Sequence, residues 1–291
     1  MTNVFSKRLV GAVGAVALTG GALGVVAPAQ AVTDPMTYTC TSLAFTGAKQ
    51  FTMVADTDAP RRIAYGETVA PTATATITVP EDVTTSIRDV GMAKKVDGKA
   101  DVAASVDGSS RPWTLAVPQT SVPPNGALTL FGTGSAGEFA GTKVGTIYDV
   151  AVRDFTATLN LYNANGTPAT PPTAQVTCLL DPGQNAAVDT VKVVKDQTTP
   201  AVKLLQTRQG AKAKVKVSVT AEHGLTPKGR IKAKLLRNGK VLQVKLLSLR
   251  EGQRKVTFIR LKDKGGYAVK AKYFVNQNFK GSSTTVSFTI D

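Results

Sequence analysis

The sequence predicts an all-β protein made of two β-sandwich domains behind a signal peptide. Short segments along most of the chain alternate between apolar and polar residues, which is typical of strands with one buried face. Turn-forming pairs such as Asn165-Gly166 and Asn238-Gly239 separate these segments. The charge changes sign near residue 182, which divides the chain into two parts of ordinary domain size.

Residues 1–31 have the pattern of a secretory signal peptide. A basic pair is followed by an apolar stretch rich in small residues and by the small-x-small cleavage motif Ala29-Gln30-Ala31. The alternative is a retained transmembrane anchor, against which the weak apolar character of the stretch and Pro28 both argue. We therefore expect a secreted chain, cell-wall associated or free, that starts at Val32 and has no stable membrane insertion.

The positive charge belongs to the second half of the chain. Residues 32–181 carry 10 Lys+Arg and 14 Asp+Glu, whereas residues 182–291 carry 23 Lys+Arg and 6 Asp+Glu. The formal net charge of +15 for the whole chain hides this division. Such an asymmetry bears on the partners of the protein rather than on its fold.

The chain has two cysteines, Cys40 and Cys178, and both lie in strand-like segments. Free thiols are unusual in the oxidising compartments that exported proteins reach. We therefore predict a Cys40–Cys178 disulfide that joins the start of the first domain to its end. Two free buried thiols are the alternative.

The first domain is predicted to span residues 32–183 and to consist almost entirely of strands. The segment 155–162 alternates strictly, with its apolar residues on one face. One helical turn is expected between Pro80 and Arg88, because acidic residues follow the proline and Gly91 lies beyond the end. Many short strands with turn signals between them indicate a β-sandwich with Greek-key connections.

These features resemble an uncharacterised domain of exported actinobacterial proteins. The resemblance rests on Tyr38-Thr39-Cys40, on the helical turn after Pro80, and above all on the closing run Cys178-Leu179-Leu180-Asp181-Pro182-Gly183-Gln184. It covers most of residues 36–190. That family has no activity to transfer, so the resemblance implies location and domain boundaries but no chemistry.

A linker is predicted over residues 184–198 and a second, basic domain over residues 199–291. Period-two alternation is clear in the segments 212–219, 231–236 and 267–274, where lysines occupy most of the polar positions. About seven strands in about 90 residues is the size of an immunoglobulin-like sandwich.

The order of segments in the second domain is similar to that of bacterial Ig-like repeats of surface proteins. The similarity rests on Gly229-Arg230-Ile231, on the strand that begins Gly265-Gly266-Tyr267, and on the loop Asn278-Phe279-Lys280-Gly281-Ser282-Ser283. Such repeats act as spacers or adhesive modules, and the resemblance implies no catalytic residues. The high lysine content departs from the pattern of these repeats and puts a purely inert spacer in doubt.

Seven lysines are the candidate binding residues. One group is expected on neighbouring strands of one sheet and the other on the opposite sheet: Lys232, Lys234, Lys270 and Lys272, and Lys212, Lys214 and Lys216. They either form a solvated surface that protects sheet edges or attract a polyanion, such as an anionic cell-wall polymer or an acidic glycan. Nucleic acid is the less favoured polyanion, because few aromatic residues accompany the lysines and base stacking requires them.

The sequence shows no catalytic, metal-binding or cofactor-binding pattern. His223 is the only histidine, and its predicted exposed loop supplies neither a zinc ligand set nor a catalytic triad. We therefore expect a non-enzymatic envelope or surface protein whose second domain is an adhesive or spacer module that contacts anionic wall polymers. The alternative is a carbohydrate-binding protein with a sugar site in the first domain, for which Trp113, Tyr148 and Tyr162 are the candidate platforms.

Overall fold

The computed structural model describes residues 34–208 and 210–290. The signal peptide predicted for residues 1–31 lies outside the described residues. Strands dominate in these described residues, whose helical structure consists of one short helix and one π-helical turn that follows it. The predicted all-β fold class is confirmed.

The first domain contains thirteen of the described strands. In chain order the elements are β1 Met36–Ser42, β2 Lys49–Thr57, β3 Arg62–Ala64, β4 Thr68–Val69, β5 Thr72–Val79, α1 Glu81–Thr85, the π-helical turn Ser86–Val90, β6 Lys95–Val106, β7 Ser109–Ser110, β8 Trp113–Ser121, β9 Leu128–Ser135, β10 Phe139–Ala140, β11 Ile147–Tyr162, β12 Pro168–Leu180 and β13 Ala187–Val194.

Eight antiparallel strands of this domain pair in a closed circuit, in the order β11-β12-β1-β2-β5-β9-β8-β6 and back to β11. The long strand β11 closes the circuit because it bonds β6 along one edge and β12 along the other. Its N-terminal part bonds β13 in place of β12, and β13 in turn carries β3 in parallel. The layers of this sandwich are therefore hydrogen-bonded to each other on both sides.

The core of the first domain lies inside this circuit. The alternating segment 155–162 faces it as predicted, and its four apolar side chains are at most 5% exposed. The Tyr38 ring packs edge-on against Phe155, with the ring centroids 5.0 Å apart. The predicted helical turn is also present, and Val83 and Thr84 of α1 are buried on its inner side.

The predicted disulfide between Cys40 and Cys178 is confirmed. The two cysteines are directly opposite each other on the neighbouring strands β1 and β12, and both are fully buried. They are separated by 138 residues of chain. The bond therefore fixes β1, the first strand of the circuit in chain order, to β12, the last one.

Gly98 on β6 permits a close approach between β6 and β11 where the circuit closes. Its φ is +153°, and it is directly opposite Leu159. A Cβ atom at this position would lie 2.1 Å from the carbonyl oxygen of Thr158. Any side chain here would force the two strands apart.

The other seven described strands form the two sheets of the second domain. They are β14 Thr198–Arg208, β15 Lys212–Ala221, β16 Arg230–Arg237, β17 Lys240–Ser248, β18 Gln253–Ile259, β19 Gly265–Tyr273 and β20 Ser282–Ile290. One sheet has the order β14-β15-β18 and the other the order β17-β16-β19-β20, which is an immunoglobulin-like arrangement. Asn238 and Gly239 both have positive φ in the turn between β16 and β17, as expected for an Asn-Gly hairpin.

The linker predicted over residues 184–198 is wrong for most of its length. The segment forms β13, which bonds both β11 and β3, and β14 begins at Thr198. Val188, Val191 and Val193 are buried in the first core, and this burial outweighs the polar character of the residues around them.

Removal of the disulfide should destabilise the first domain specifically. We expect the double variant C40A/C178A to lose roughly 5 kcal/mol of unfolding free energy, the chain-entropy value for a loop of this length. Alanine is chosen because both positions are buried and a serine hydroxyl would need a partner there. The measurement is calorimetry on residues 32–291, with the transition of the second domain as internal control. An unchanged first transition would contradict the prediction.

The variant G98A should destabilise the first domain by more than about 2 kcal/mol, because its Cβ would overlap the β11 backbone. G108A is the matched control, since Gly108 has φ +74° but open space around its missing Cβ. That control should cost only about 1 kcal/mol, from backbone strain alone. Equal losses in urea unfolding would show that the close approach at β11 is unimportant.

Candidate anion-binding surfaces

Four of the candidate lysines form two directly opposed pairs on the four-stranded sheet. Lys232 on β16 is paired with Lys272 on β19, and Lys234 with Lys270, in the antiparallel register of these strands. All four side chains point away from the core, as their alternation predicts. We call these four residues the lysine ladder.

A second group of lysines crosses the three-stranded sheet. Lys216 on β15 is opposite Lys203 on β14 and also opposite Lys255 on β18. We call these three residues the lysine row. Lys212 and Lys214 lie on the same outer face, and Lys212 is opposite Arg208. The seven predicted lysines thus form two surfaces on opposite sheets, and no single site contains them all.

Lys203 and Lys255 complete the row and are missing from the sequence prediction. Both lie on strands whose polar and apolar residues alternate less regularly than those of β15. Their positions opposite Lys216 follow from strand register, which local alternation does not provide. An excess of lysine in the neighbouring segments was the available signal.

Neither lysine surface is neutralised by carboxylates. Within residues 34–208 and 210–290, the second domain has only the ion pairs of Arg237 with Asp263, at 2.6 Å, and of His223. In the first domain, by contrast, Lys99 pairs with Asp101 at 2.8 Å. Like charges directly opposite each other in a sheet are destabilising by some tenths of a kcal/mol per pair. An anionic ligand would relieve this repulsion.

A shallow depression of about 610 Å³ lies beside the lysine row. Its lining residues are Lys216, Arg250, Glu251, Gln253, Arg254 and Lys255. Four of these six residues are basic, and the carboxylate of Glu251 forms no ion pair with them among the described residues. The depression therefore offers several cations to one anionic group of a ligand.

The loop of His223 is at the contact between the two domains. Nδ1 of His223 lies 2.8 Å from a carboxylate oxygen of Asp196, and Nε2 lies 3.8 Å from Glu67 of the first domain. Asp196 is fully buried, and its carboxylate also accepts hydrogen bonds from the backbone N–H groups of Gln197 and His223. The prediction of an exposed loop histidine is therefore wrong.

Electrostatics at this contact favour the charged form of His223. The hydrogen bond to Asp196 raises the pKa of His223 above its ordinary value of 6.5. Burial opposes this shift, while attraction to Asp196, Glu67 and Glu222 adds to it. His223 thus links a buried carboxylate of the second domain to an acidic residue of the first.

Apolar contacts accompany this link. The Tyr65 ring of the first domain packs edge-on against Phe279 of the second, with the centroids 5.7 Å apart. Gly66 approaches Leu225 so closely that a Cβ would lie 2.2 Å from a methyl carbon of that leucine. The contact therefore combines aromatic packing with the hydrogen bonds of Asp196.

Two of the three candidate sugar platforms belong to the core. Trp113 is 1% exposed and Tyr148 is 6% exposed. The Tyr148 hydroxyl bonds Thr142, and Trp113 Nε1 is buried without a hydrogen-bond partner. Tyr162 is partly exposed, with its hydroxyl 3.4 Å from an Asp97 oxygen. Since a sugar stacks on an accessible ring, this set of aromatics does not form the predicted site.

Fold and surfaces together define an all-β protein with a closed, disulfide-bonded sandwich followed by a basic immunoglobulin-like one. The chain belongs to a family of unknown function, DUF6801, whose model matches residues 37–189, just over half of its length. The match covers the disulfide and the closed circuit, and it ends before the basic domain. No curated protein matches the chain significantly.

Solved structures resemble the chain only distantly. A Corynebacterium diphtheriae protein named as membrane anchored is 13% identical, with a TM-score of 0.35, and the match covers 88% of this chain and 58% of that one. The human OSCAR ligand-binding domain is 11% identical, with a TM-score of 0.24, and the match covers 81% of this chain and 96% of that one. The FN1–FN3 domains of chicken CNTN1 are 12% identical, with a TM-score of 0.24, and the match covers 87% of this chain and 90% of that one. The chain thus spans less than two thirds of the Corynebacterium protein.

None of the helices in the described part of the chain has the length and apolar character to cross a bilayer.

The contact around His223 should make stability fall as pH rises. Because the folded pKa is raised, the stabilising contribution is complete below pH 6.5 and is lost as the pH rises through the folded pKa. We expect the Tm of residues 32–291 to decrease as the pH rises above 6.5 and through the raised pKa of His223. His223 is the only histidine, so H223Q should remove most of this slope. An equal dependence of Tm on pH in the wild type and in H223Q would show that His223 is not the group responsible.

Proposed function

We propose that the protein is an exported, non-enzymatic surface protein whose basic domain binds an anionic polymer of the cell envelope. The observation that carries the proposal is the pairing of lysine with lysine across strands on both sheets, where these lysines form no ion pair with a carboxylate of the described residues. A solubilising surface does not require cations to face one another. A repeating anion does benefit from such an arrangement.

The spacing of the lysines fits a polymer better than a single small anion. Neighbouring strands lie about 4.8 Å apart, and alternate residues on one strand are about 7 Å apart. The lysine ladder therefore presents a two-by-two grid, and the lysine row presents three cations in line. A chain of phosphates or carboxylates can contact several of these cations at once, which raises its affinity by multivalency.

The charge of the first domain supports a protein that contacts the envelope through its basic domain. Residues 32–181 carry more acidic than basic residues, so an anionic polymer repels this part of the chain. The buried disulfide and the signal pattern of residues 1–31 both fit an exported protein. The basic domain would then contact the envelope while the closed domain faces away from it.

Two sets of charge-removing variants test the proposal against purified actinobacterial cell walls and against dextran sulfate as a defined polyanion. The test variants are K203Q/K216Q/K255Q for the row and K232Q/K234Q/K270Q for the ladder. The matched control is K94Q/K143Q/K192Q, which removes the same charge from exposed positions of the first domain.

Each test variant should weaken binding of residues 32–291 to both probes, whereas the control should bind as the wild type does. Wild-type binding should also fall steeply between low and physiological salt, because exposed charges are screened over about 8–10 Å. Sedimentation with cell walls and isothermal titration with dextran sulfate give the measurements. If the wild type fails to bind at low salt, or if the control loses as much as the test variants, the lysines are solubility devices and the proposal is wrong.

A further inference from the structure

The strand β17 exposes an unusual number of aliphatic side chains. Val241, Leu242, Val244 and Leu246 are each 47–51% exposed, although β17 has only nine residues. Ile259 at the end of β18 is exposed to a similar degree. Scattered exposed aliphatics need no explanation, but a contiguous run on one strand marks a surface that contacts something apolar.

Strand register places these aliphatics beside the lysine ladder. Val244 is opposite Lys234 and Leu246 is opposite Lys232, on the outer face of the sheet. The same lysines are paired with Lys270 and Lys272 on their other side. On this outer face, β17 therefore carries a column of aliphatic side chains, and the two strands next to it, β16 and β19, each carry a column of lysines. A ligand that was only a hydrophilic polymer would bind the lysines without any need for exposed aliphatic side chains beside them.

β17 is also the outermost strand of its sheet. The Gln243 side chain of β17 donates to the carbonyl oxygen of Ile259 on β18 and accepts from the Ile259 N–H at 3.3 Å. This amide bridge joins β17 to β18 of the other sheet and occupies backbone groups of Ile259 at the edge of β18. The exposed aliphatic side chains of β17 therefore lie at the margin of the sheet, on a strand that is held in place from the second sheet.

The charges on this face identify the occupant. A second copy that docks through the same face would bring another lysine ladder against the first and add repulsion to a face that has no carboxylate partners among the described residues. An apolar protein surface would leave the lysines without counter-charges. A bilayer with anionic headgroups meets both requirements, because aliphatic side chains enter the headgroup–acyl boundary while lysines contact phosphates.

We propose that β17 and the lysine ladder form a docking surface for an anionic lipid bilayer, with Val244 and Leu246 inserted at the interface. Lys272 lies 5.8 Å from the ring centroid of Phe274, which continues the mixed apolar and cationic character at the end of β19. This surface is separate from the lysine row on the other sheet. This proposal rests on the proposed function in that the lysine ladder also belongs to the polymer-binding surface, so a membrane and a polymer would compete for the ladder while the lysine row on the other sheet stays free for polymer.

Vesicle flotation of residues 32–291 tests the proposal, since this chain retains both hydrophobic cores and lacks the apolar leader that would itself bind lipid. The vesicles are phosphatidylcholine alone or phosphatidylcholine mixed with phosphatidylglycerol. The test variant is V244T/L246T, because threonine is polar and, as a β-branched residue, suits a strand. I147T/L179T is the matched control, because both positions are exposed aliphatics on strands of the first domain.

We expect binding to the mixed vesicles only, and a loss of about ten-fold or more in V244T/L246T, since each half-buried aliphatic contributes to the affinity. The I147T/L179T control should bind as the wild type does. Both variants retain every lysine and should bind dextran sulfate normally, which separates the contribution of the aliphatic side chains from that of the charges. Equal vesicle binding by wild type and V244T/L246T would overturn the proposal. So would a wild-type dimer in light scattering that V244T/L246T abolishes, because a second copy would then be the occupant.

A fluorescent label gives a direct readout of insertion. Both native cysteines are in the buried disulfide, so V244C introduces a single thiol available for an environment-sensitive dye. Its emission should shift to the blue with phosphatidylglycerol vesicles and should not shift with dextran sulfate. A dye at I147C should not respond to either. An unshifted V244C dye on vesicles that have bound the protein would exclude insertion.

Discussion

The hydrogen bonding of β11 along both of its edges is the constraint on which the architecture depends. β11 joins β6 to β12 and β13, so the eight strands of the first domain form a circuit without a long free edge. The second domain has the opposite property, because two separate sheets leave β14, β17, β18 and β20 at their edges. Surfaces available to a partner are therefore concentrated in the second domain.

The charge distribution follows the same division. Carboxylates in the first domain pair with nearby cations, while the lysines of the second domain face one another. A folded domain tolerates this repulsion because each pair costs little and the charges are solvated. The hydrogen bonds of Asp196 and the packing of Tyr65 on Phe279 then hold the two domains in contact. The basic surfaces are thus held next to a sandwich of opposite charge.

Local patterns in the sequence predicted most strands and the outward direction of the seven lysines, because alternation depends only on neighbours in the chain. The disulfide was predictable from the cysteine count and from the signal-peptide pattern of residues 1–31. Pairing between distant segments was not predictable. The segment of β13 was predicted to be a linker because its partners, β11 and β3, are about 40 and 130 residues away in the chain. The burial of Asp196 and its bond to His223 depend on a loop near residue 278, so a local pattern gave no sign of them.

The buried disulfide also determines how the protein responds to mechanical force. A pull between the start of β1 and the second domain would enter at Cys40 and leave at Cys178, and the 138 residues between them would stay unextended. At roughly 3.4 Å per residue, those residues would otherwise lengthen the chain by several hundred ångströms. The first domain therefore acts as a tether of nearly constant length between its cysteines, and yielding under load is confined to the short segments outside the disulfide, β13, the domain contact and the second sandwich.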